Sequence, residues 1–136
     1  MADLCSDWEK NAASSEKYGV RVCILRLGIV VGREGGFLKQ IMSVFDLRIG
    51  AYTGDGSQKI PWVHLSDTVR AIDFCLVNEE MRGPINISSP FPVTSKQFCE
   101  TLSNVCKTWF ELPLPTLLLK ILYGEGAEVL TSGQNA

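Results

Sequence analysis

Four stretches of this chain combine residue types and spacings that chemistry could use. The first is the glycine-rich run from Arg26 to Phe37, Arg-Leu-Gly-Ile-Val-Val-Gly-Arg-Glu-Gly-Gly-Phe, set between an apolar segment and a helical one. A loop that cradles a dinucleotide needs a glycine directly after its strand and a second one two positions on, so that the backbone turns tightly and the pyrophosphate reaches the helix N-terminus. Here Gly28 is followed by Ile29, Val30 and Val31 before Gly32, and these bulky side chains fill the space a phosphate needs. The acidic residue such a fold places about twenty positions further on is also missing, since residues 47–50 are Leu-Arg-Ile-Gly. The run is therefore read as a chain reversal at the C-terminal edge of a sheet. Ligands sit at that edge in open α/β folds, so the run can touch one without being the phosphate loop.

The second stretch is Trp62-Val63-His64-Leu65-Ser66-Asp67. A histidine flanked by apolar neighbours is either a structural group bonded to backbone or a group poised to titrate near neutrality. Asp67 reads first as a helix cap and second as a ligand contact. Trp62 belongs to the core or to a pocket wall, and its indole N–H needs a partner if buried. The third stretch, residues 52–58 with Gly54 and Gly56, is a pocket wall or a plain hairpin tip. The fourth, residues 86–93, ends a short strand with Ser88, Ser89, Pro90 and Pro92, as a ligand edge or a surface connection.

No catalytic residue emerges. There is no G-x-S-x-G elbow, and no tyrosine has a lysine four positions on: Val22, Gly56 and Ala127 follow Tyr18, Tyr52 and Tyr123. The five cysteines, Cys5, Cys23, Cys75, Cys99 and Cys106, form no C-x-x-C pair. That odd count without framework spacing suits a reducing, intracellular compartment, cytoplasmic or organellar, mitochondria included. A nucleophilic thiol is not expected, because no base is near in sequence. One histidine and scattered thiols give no metal site.

The elements that must position these residues follow from periodicity. Residues 3–18 read as a helix, with Leu4, Trp8 and Ala12 at helical spacing, Asp3 at its start and Gly19 closing it. Residues 20–27 read as a strand buried on both faces. A helix covers 37–45, and short strands lie near 51–53 and 59–63. A helix begins at a Ser66 or Asp67 cap with Val69, Ile72, Cys75 and Leu76 on one stripe. A strand covers 84–88. A helix capped at Thr94 or Ser95 turns Phe98, Leu102 and Val105 inward. A last helix covers 115–124, and the tail to 136 has little to bury. This alternation predicts an α/β protein with a parallel sheet. Yet two confident strands beneath five helices do not complete such a sheet, and the strand at 20–27 needs neighbours to satisfy its N–H and C=O groups.

Bulk properties exclude other classes. The chain has 136 residues and a net charge of −2, so one domain is expected and no basic field holds nucleic acid or an anionic membrane. The apolar run at 112–124 is broken by Pro113, Pro115 and Lys120 and falls short of the roughly 18 residues a membrane span needs. Residues 1–20 lack the apolar core of a secretory signal and carry Asp3, Asp7 and Glu9 against a transit peptide.

Taken jointly, Trp8-Glu9, Leu25-Arg26 with Gly28 and Gly32, Gly35-Gly36, Gly54 and Gly56, Trp62-Val63-His64 with Asp67, and Gly83-Pro84 with Asn86, Ser89, Pro90 and Pro92 resemble the second half of the epimerase-family atypical short-chain dehydrogenases/reductases, the nucleoside-diphosphate-sugar epimerase-like proteins. The resemblance covers nearly the whole chain. It implies the C-terminal part of a Rossmann-like NAD(P)-binding fold with the small substrate-side subdomain and an incomplete parallel sheet. Residues 1–112 would form the C-terminal half of that domain, and residues 113–136 would begin the family's C-terminal helical segment. The family's glycine fingerprint and its active-site Ser and Tyr have no counterpart here. Gly28, Ile29, Val30 and Gly32 would lie along the nicotinamide side of an NADP or NAD cofactor. Gly54, Trp62, His64 and Asp67 would wall the cleft for a sugar nucleotide or similar small substrate. An intact relative would be an oxidoreductase transferring hydride, whereas this truncated chain is expected to bind no cofactor alone. The alternative expectation is a non-catalytic interaction module that completes its sheet with a partner strand or by homodimerisation.

Overall fold

A computed structural model describes residues 2–114. The expected final helix at 115–124 and the tail lie outside the described residues. Helix α1 (Ala2–Ala13) runs into a 3-10 turn (Ser14–Tyr18), and Gly19, in the left-handed region at φ 74°, closes it with an N–H bond to the Glu16 carbonyl. Strands β1 (Cys23–Leu27) and β2 (Ile29–Val31) follow, then α2 (Gly36–Phe45) and β3 (Ile49–Thr53). Strands β4 (Lys59–Ile60) and β5 (Trp62–His64) lead into α3 (Leu65–Val77). Strands β6 (Gly83–Ile87) and β7 (Val93–Thr94), helix α4 (Ser95–Cys106) and strand β8 (Phe110–Leu114) complete the chain.

The strands pair as four two-stranded ladders. Three are parallel, β1 with β6, β2 with β5 and β3 with β8, and the short β4–β7 ladder is antiparallel. The α/β class with parallel pairing is as the sequence predicts, and so is the incompleteness: among the described residues, β1 has a strand on one edge only.

Several details differ from expectation. The strand expected at 20–27 covers Cys23–Leu27, and Ile29–Val31, expected within a chain reversal, form a second strand, because the backbone changes partners at Gly28. Its N–H bonds to the Ile87 carbonyl at the end of β6 (2.9 Å), while the Ile29 N–H bonds to the Pro61 carbonyl ahead of β5 (2.7 Å). Nor is β1 buried on both faces: Cys23, Ile24 and Leu25 are half-buried, and Arg26 and Leu27 are exposed. A central strand is covered only by the layers around it, and one edge of this one is uncovered. The stripe expected to face inward on α3 is likewise exposed at Val69, Ile72 and Leu76, and only Cys75 of the four is buried.

On α4 the inward side is Ser95, Cys99 and Ser103, at four-residue spacing, with Val105 turned to solvent. Small residues prevail there because β3 packs against them at Gly50, where a Cβ would meet the Ser103 hydroxyl and come within 3.3 Å of Cys99 Sγ. The Ser95 hydroxyl ties the same layers, accepting from the Thr53 N–H (3.0 Å) and sharing a hydrogen bond with the Thr53 hydroxyl (2.7 Å). The α4 start is a capping box: Thr94 Oγ1 accepts from the Gln97 N–H (3.2 Å), and Gln97 Oε1 accepts from the Thr94 N–H (2.9 Å), so two otherwise unpaired helix-start donors are satisfied.

Two arginines close helix ends in the same way. Arg21, just ahead of β1, donates to the carbonyls of Cys75 (2.7 Å) and Leu76 (3.1 Å) in the last turn of α3. Arg48, just ahead of β3, donates to the carbonyls of Cys106 (2.5 Å) and Lys107 (3.3 Å) at the end of α4. A cation there satisfies free carbonyls and opposes the negative end of the helix dipole. Each arginine thereby docks its own strand beside the strand that follows the capped helix, β6 for Arg21 and β8 for Arg48.

Helix α1 is held to β1 by a fork between Arg26 and Glu9, with both nitrogen–oxygen distances 2.7 Å. The hydrogen bond holds the Glu9 carboxyl below its ordinary range and raises the guanidinium.

Candidate functional site

The cleft forms where three segments meet at the C-terminal ends of β1 and β6. Beyond the two bonds made at Gly28, the Ser89 N–H donates to the Trp62 carbonyl (2.6 Å), which fastens the end of β6 to β5. Gly28 is required at the centre of this junction. A Cβ there would collide with the Pro61 carbonyl oxygen and lie 3.4 Å from Ser88 Cβ.

Alongside runs a cavity of about 660 Å³ between α3 and β6. Trp62, His64, Asp67 and Arg70 are among its lining residues, together with the apolar Phe74 and Ile85. Three of the four residues expected to wall a substrate cleft are thus gathered into one cavity. Gly54 is not among them. It sits at φ 54° in the 54–57 turn, where a Cβ would press on Gln58 Nε2 at 2.6 Å. That turn is closed on itself: Asp55 Oδ1 accepts from the Ser57 hydroxyl (2.6 Å) and N–H (2.9 Å), which hold its carboxyl below the ordinary range.

His64 has a definite structural task. Its Nδ1 accepts from the Ser66 N–H (3.2 Å), making it the N-cap of α3 in place of the expected Ser66 or Asp67. An accepting Nδ1 leaves the proton of the neutral ring on Nε2, so the ring offers a donor at its other nitrogen. Asp67 instead pairs with Arg70 on the first turn (3.2 Å), with both side chains largely in solvent, an arrangement worth at most about 1 kcal/mol. Replacing His64 with Ala should cost about 1 kcal/mol in urea unfolding, while Ser at the same position, a better cap, should restore most of it. Equal losses for the two variants would show that the ring matters through packing and not through its cap.

Trp62 carries the cleft's unspent polar atom. Its Nε1 is buried and has no hydrogen-bond partner among the described residues, and the same holds for Gln58 Oε1. Arg70 is a lining residue that the sequence does not point to, whereas Ser88 and Ser89 belong to the 86–93 stretch expected as a ligand edge or a surface connection, and both line the cavity.

The glycine-rich run lies at the back of this junction. The backbones of Ile29 and Val30 are engaged in the β2–β5 ladder opposite Trp62 and Val63. Gly32 stands against Leu65, whose Cδ2 would be 3.3 Å from a Cβ. At Gly28 the space that a glycine frees is taken by the chain's own Pro61 carbonyl. The described residues therefore provide no cradle for a pyrophosphate. Among them there is also no grouping of His, Cys, Asp or Glu able to hold a metal ion, and no helix long and apolar enough to cross a membrane.

Comparison with known proteins agrees with this architecture. A profile described as the NAD dependent epimerase/dehydratase family matches residues 3–88. An Arabidopsis thaliana protein, the chloroplastic epimerase family protein SDR39U1 homolog, is 37% identical over 98% of this chain and 38% of its own length. An epimerase family protein of Mycobacterium bovis is 34% identical over 100% of this chain and 46% of its own. Among solved structures, the human epimerase family protein SDR39U1 (isoform 2) with NADPH is similar at TM-score 0.77 and 28% identity, over 85% of this chain and 39% of that one. A nucleoside-diphosphate sugar epimerase from Corynebacterium glutamicum, at TM-score 0.69 and 24% identity, shares the fold over 97% of this chain and 30% of that one. The chain thus spans less than half the length of the curated relatives it matches. With residues 3–88 matched by the profile and the parallel ladders of the Rossmann-like epimerase fold, this chain belongs to the NAD dependent epimerase/dehydratase family.

Proposed function

We propose that this chain is the cleft-wall portion of an NAD(P)-dependent epimerase/dehydratase-like oxidoreductase acting on a sugar nucleotide or similar small molecule. The observation that carries this reading is β1, which among the described residues has a partner on one edge only, in a chain whose relatives are more than twice as long. In a completed sheet, residues 28–32 would lie along the nicotinamide side. His64, with its Nε2 donor, Asp67, an acceptor, and the ring of Trp62 would face the substrate, with Gly54 shaping a nearby turn. The human relative solved with NADPH supports the choice of cofactor. Bound nicotinamide supplies hydride transfer. This chain's own residues supply orientation and exclusion of water, and none of those described is placed as the acid or base of the reaction.

On this reading the 136-residue chain binds no dinucleotide by itself. Titration with NADPH, followed by nicotinamide fluorescence and calorimetry, should show no saturable binding up to millimolar cofactor. Binding in the micromolar range would overturn the assignment of an incomplete site.

A second reading, an interaction module that pairs with a partner strand or a second copy, is favoured by one observation. The α3 stripe Val69, Ile72 and Leu76 is 57%, 40% and 69% exposed, and among the described residues an edge of β1 has no strand beside it. A monomer by light scattering at high micromolar concentration would count against self-pairing.

A further inference from the structure

The cavity between α3 and β6 changes in polarity along its length. It follows one face of α3, from Asp67 through Arg70 and Ala71 to Phe74 and Cys75, at the three- and four-residue spacing of a helix. At 1.5 Å per residue that face is about 12 Å long. Two sets of hydrogen bonds fix which end of α3 meets which end of β6. The Ser89 N–H donates to the Trp62 carbonyl (2.6 Å), so the end of β6 lies by β5 and by the helix start that follows it directly at Leu65. At the other end, Arg21 Nη1 donates to the carbonyls of Cys75 (2.7 Å) and Met81 (3.2 Å), so the last turn of α3 lies by the start of β6. The lining therefore passes from Asp67, Arg70 and Ser88 to Phe74, Met81 and Ile85.

The polar end carries no net charge from its acid and base, because Asp67 and Arg70 pair with each other (3.2 Å). A diphosphate would have to take Arg70 from Asp67 and then lie beside the freed carboxylate. Hydroxyl groups can donate to the carboxylate and accept from the guanidinium while the pair stays as it is. The other end suits an apolar group. A polar one would lose its water there, with the nearby carbonyls of Cys75 and Met81 already taken by Arg21. We propose, resting on the reading of this cavity as the substrate cleft, that its ligand joins a neutral, hydroxyl-rich head to an apolar tail, as an alkyl or aryl glycoside does. The head lies against Asp67, Arg70 and Ser88, and the tail runs along α3 toward Phe74 and Ile85. The volume of about 660 Å³ is that of an ordinary small-ligand site. Both walls, α3 and β6, are this chain's own, so binding needs no second polypeptide.

The probe is octyl glucoside below its micelle concentration, titrated into the full 136-residue chain and followed by calorimetry and methyl NMR. One saturable site is expected. The methyl signals of Met81, Ile85 and Ile87 should shift, while those of Val69 and Leu76, exposed on α3, stay in place. Methyl glucoside keeps the head without the tail and should bind at least about 100-fold more weakly, as removal of several buried methylenes implies. UDP-glucose should bind no better than methyl glucoside. Ala71→Trp, which fills the cavity from α3, should abolish binding with the circular dichroism spectrum unchanged, and if that variant does not fold the methyl map of the unaltered chain decides. No saturable binding, shifts centred on Val69 and Leu76, or full binding by a folded Ala71→Trp variant would each overturn the proposal. UDP-glucose bound as tightly as octyl glucoside would overturn the neutral, tailed ligand while upholding the cleft, and the NADPH titration tests the incomplete cofactor site separately.

Discussion

Gly28→Ala should destabilise the chain by roughly 2–3 kcal/mol, at the upper end of what overpacking costs. The obstacle is not a side chain that can swing away. A Cβ would meet the Pro61 carbonyl oxygen, and that oxygen is held by the Ile29 N–H at 2.7 Å, while the Gly28 N–H is itself bonded to Ile87. Relief requires moving the end of β1 away from β6 or the start of β5 away from β2, so one ladder loosens in either case. Gly35→Ala is the matched control: its backbone is extended at φ −170° and nothing lies within 4 Å of a Cβ there, so its effect should stay within about 0.5 kcal/mol. Urea midpoints by circular dichroism read both. A Gly28→Ala variant as stable as the parent would mean that the partner exchange at Gly28 is not what joins the two ladders.

Phe45→Ala should have the largest effect, about 3–5 kcal/mol. Phe45 is 1% exposed at the end of α2, the helix that packs on β2, β3 and α4. Its ring is therefore central to a small core. The buried apolar side chains among the described residues are otherwise Ile60, Val63, Cys75, Ile87 and Cys99, and of these only Cys99 is as completely enclosed. Against a total stability of about 5–15 kcal/mol for an ordinary domain, a loss of that size should abolish cooperative unfolding or halve the denaturation midpoint. Phe91→Ala, at a site 79% exposed, should move it little. A cooperative transition kept unchanged in the Phe45 variant would show that the ring is not the centre of the core.

What could be read in the sequence alone was whatever depends on neighbours a few residues away. Apolar periodicity predicted the helices and the α/β class. A cap at Thr94 or Ser95 announced the start of α4, and Gly19 the end of the first helix. The apolar run at 20–27 announced a strand that needs partners. The scattered glycines, Trp62, His64 and Asp67 together carried the family. Decisions that depend on residues fifty or sixty positions apart were left to the tertiary structure. Gly28 divides one apolar run into two strands because Ile87 and Pro61 compete for consecutive N–H groups. Residues 110–114 become a strand, against any local signal from Pro113, because β3 offers them a parallel edge. His64 and not Asp67 caps α3, since the chain enters that helix directly from β5. Arg21 and Arg48 find the ends of helices that lie far along the chain. Local patterning determines which segments are helix and which are strand. Which strand edges are filled, which apolar stripes stay uncovered and which polar atoms converge on the cleft are set by long-range packing, because burial and hydrogen-bond satisfaction belong to pairs of segments and not to either one.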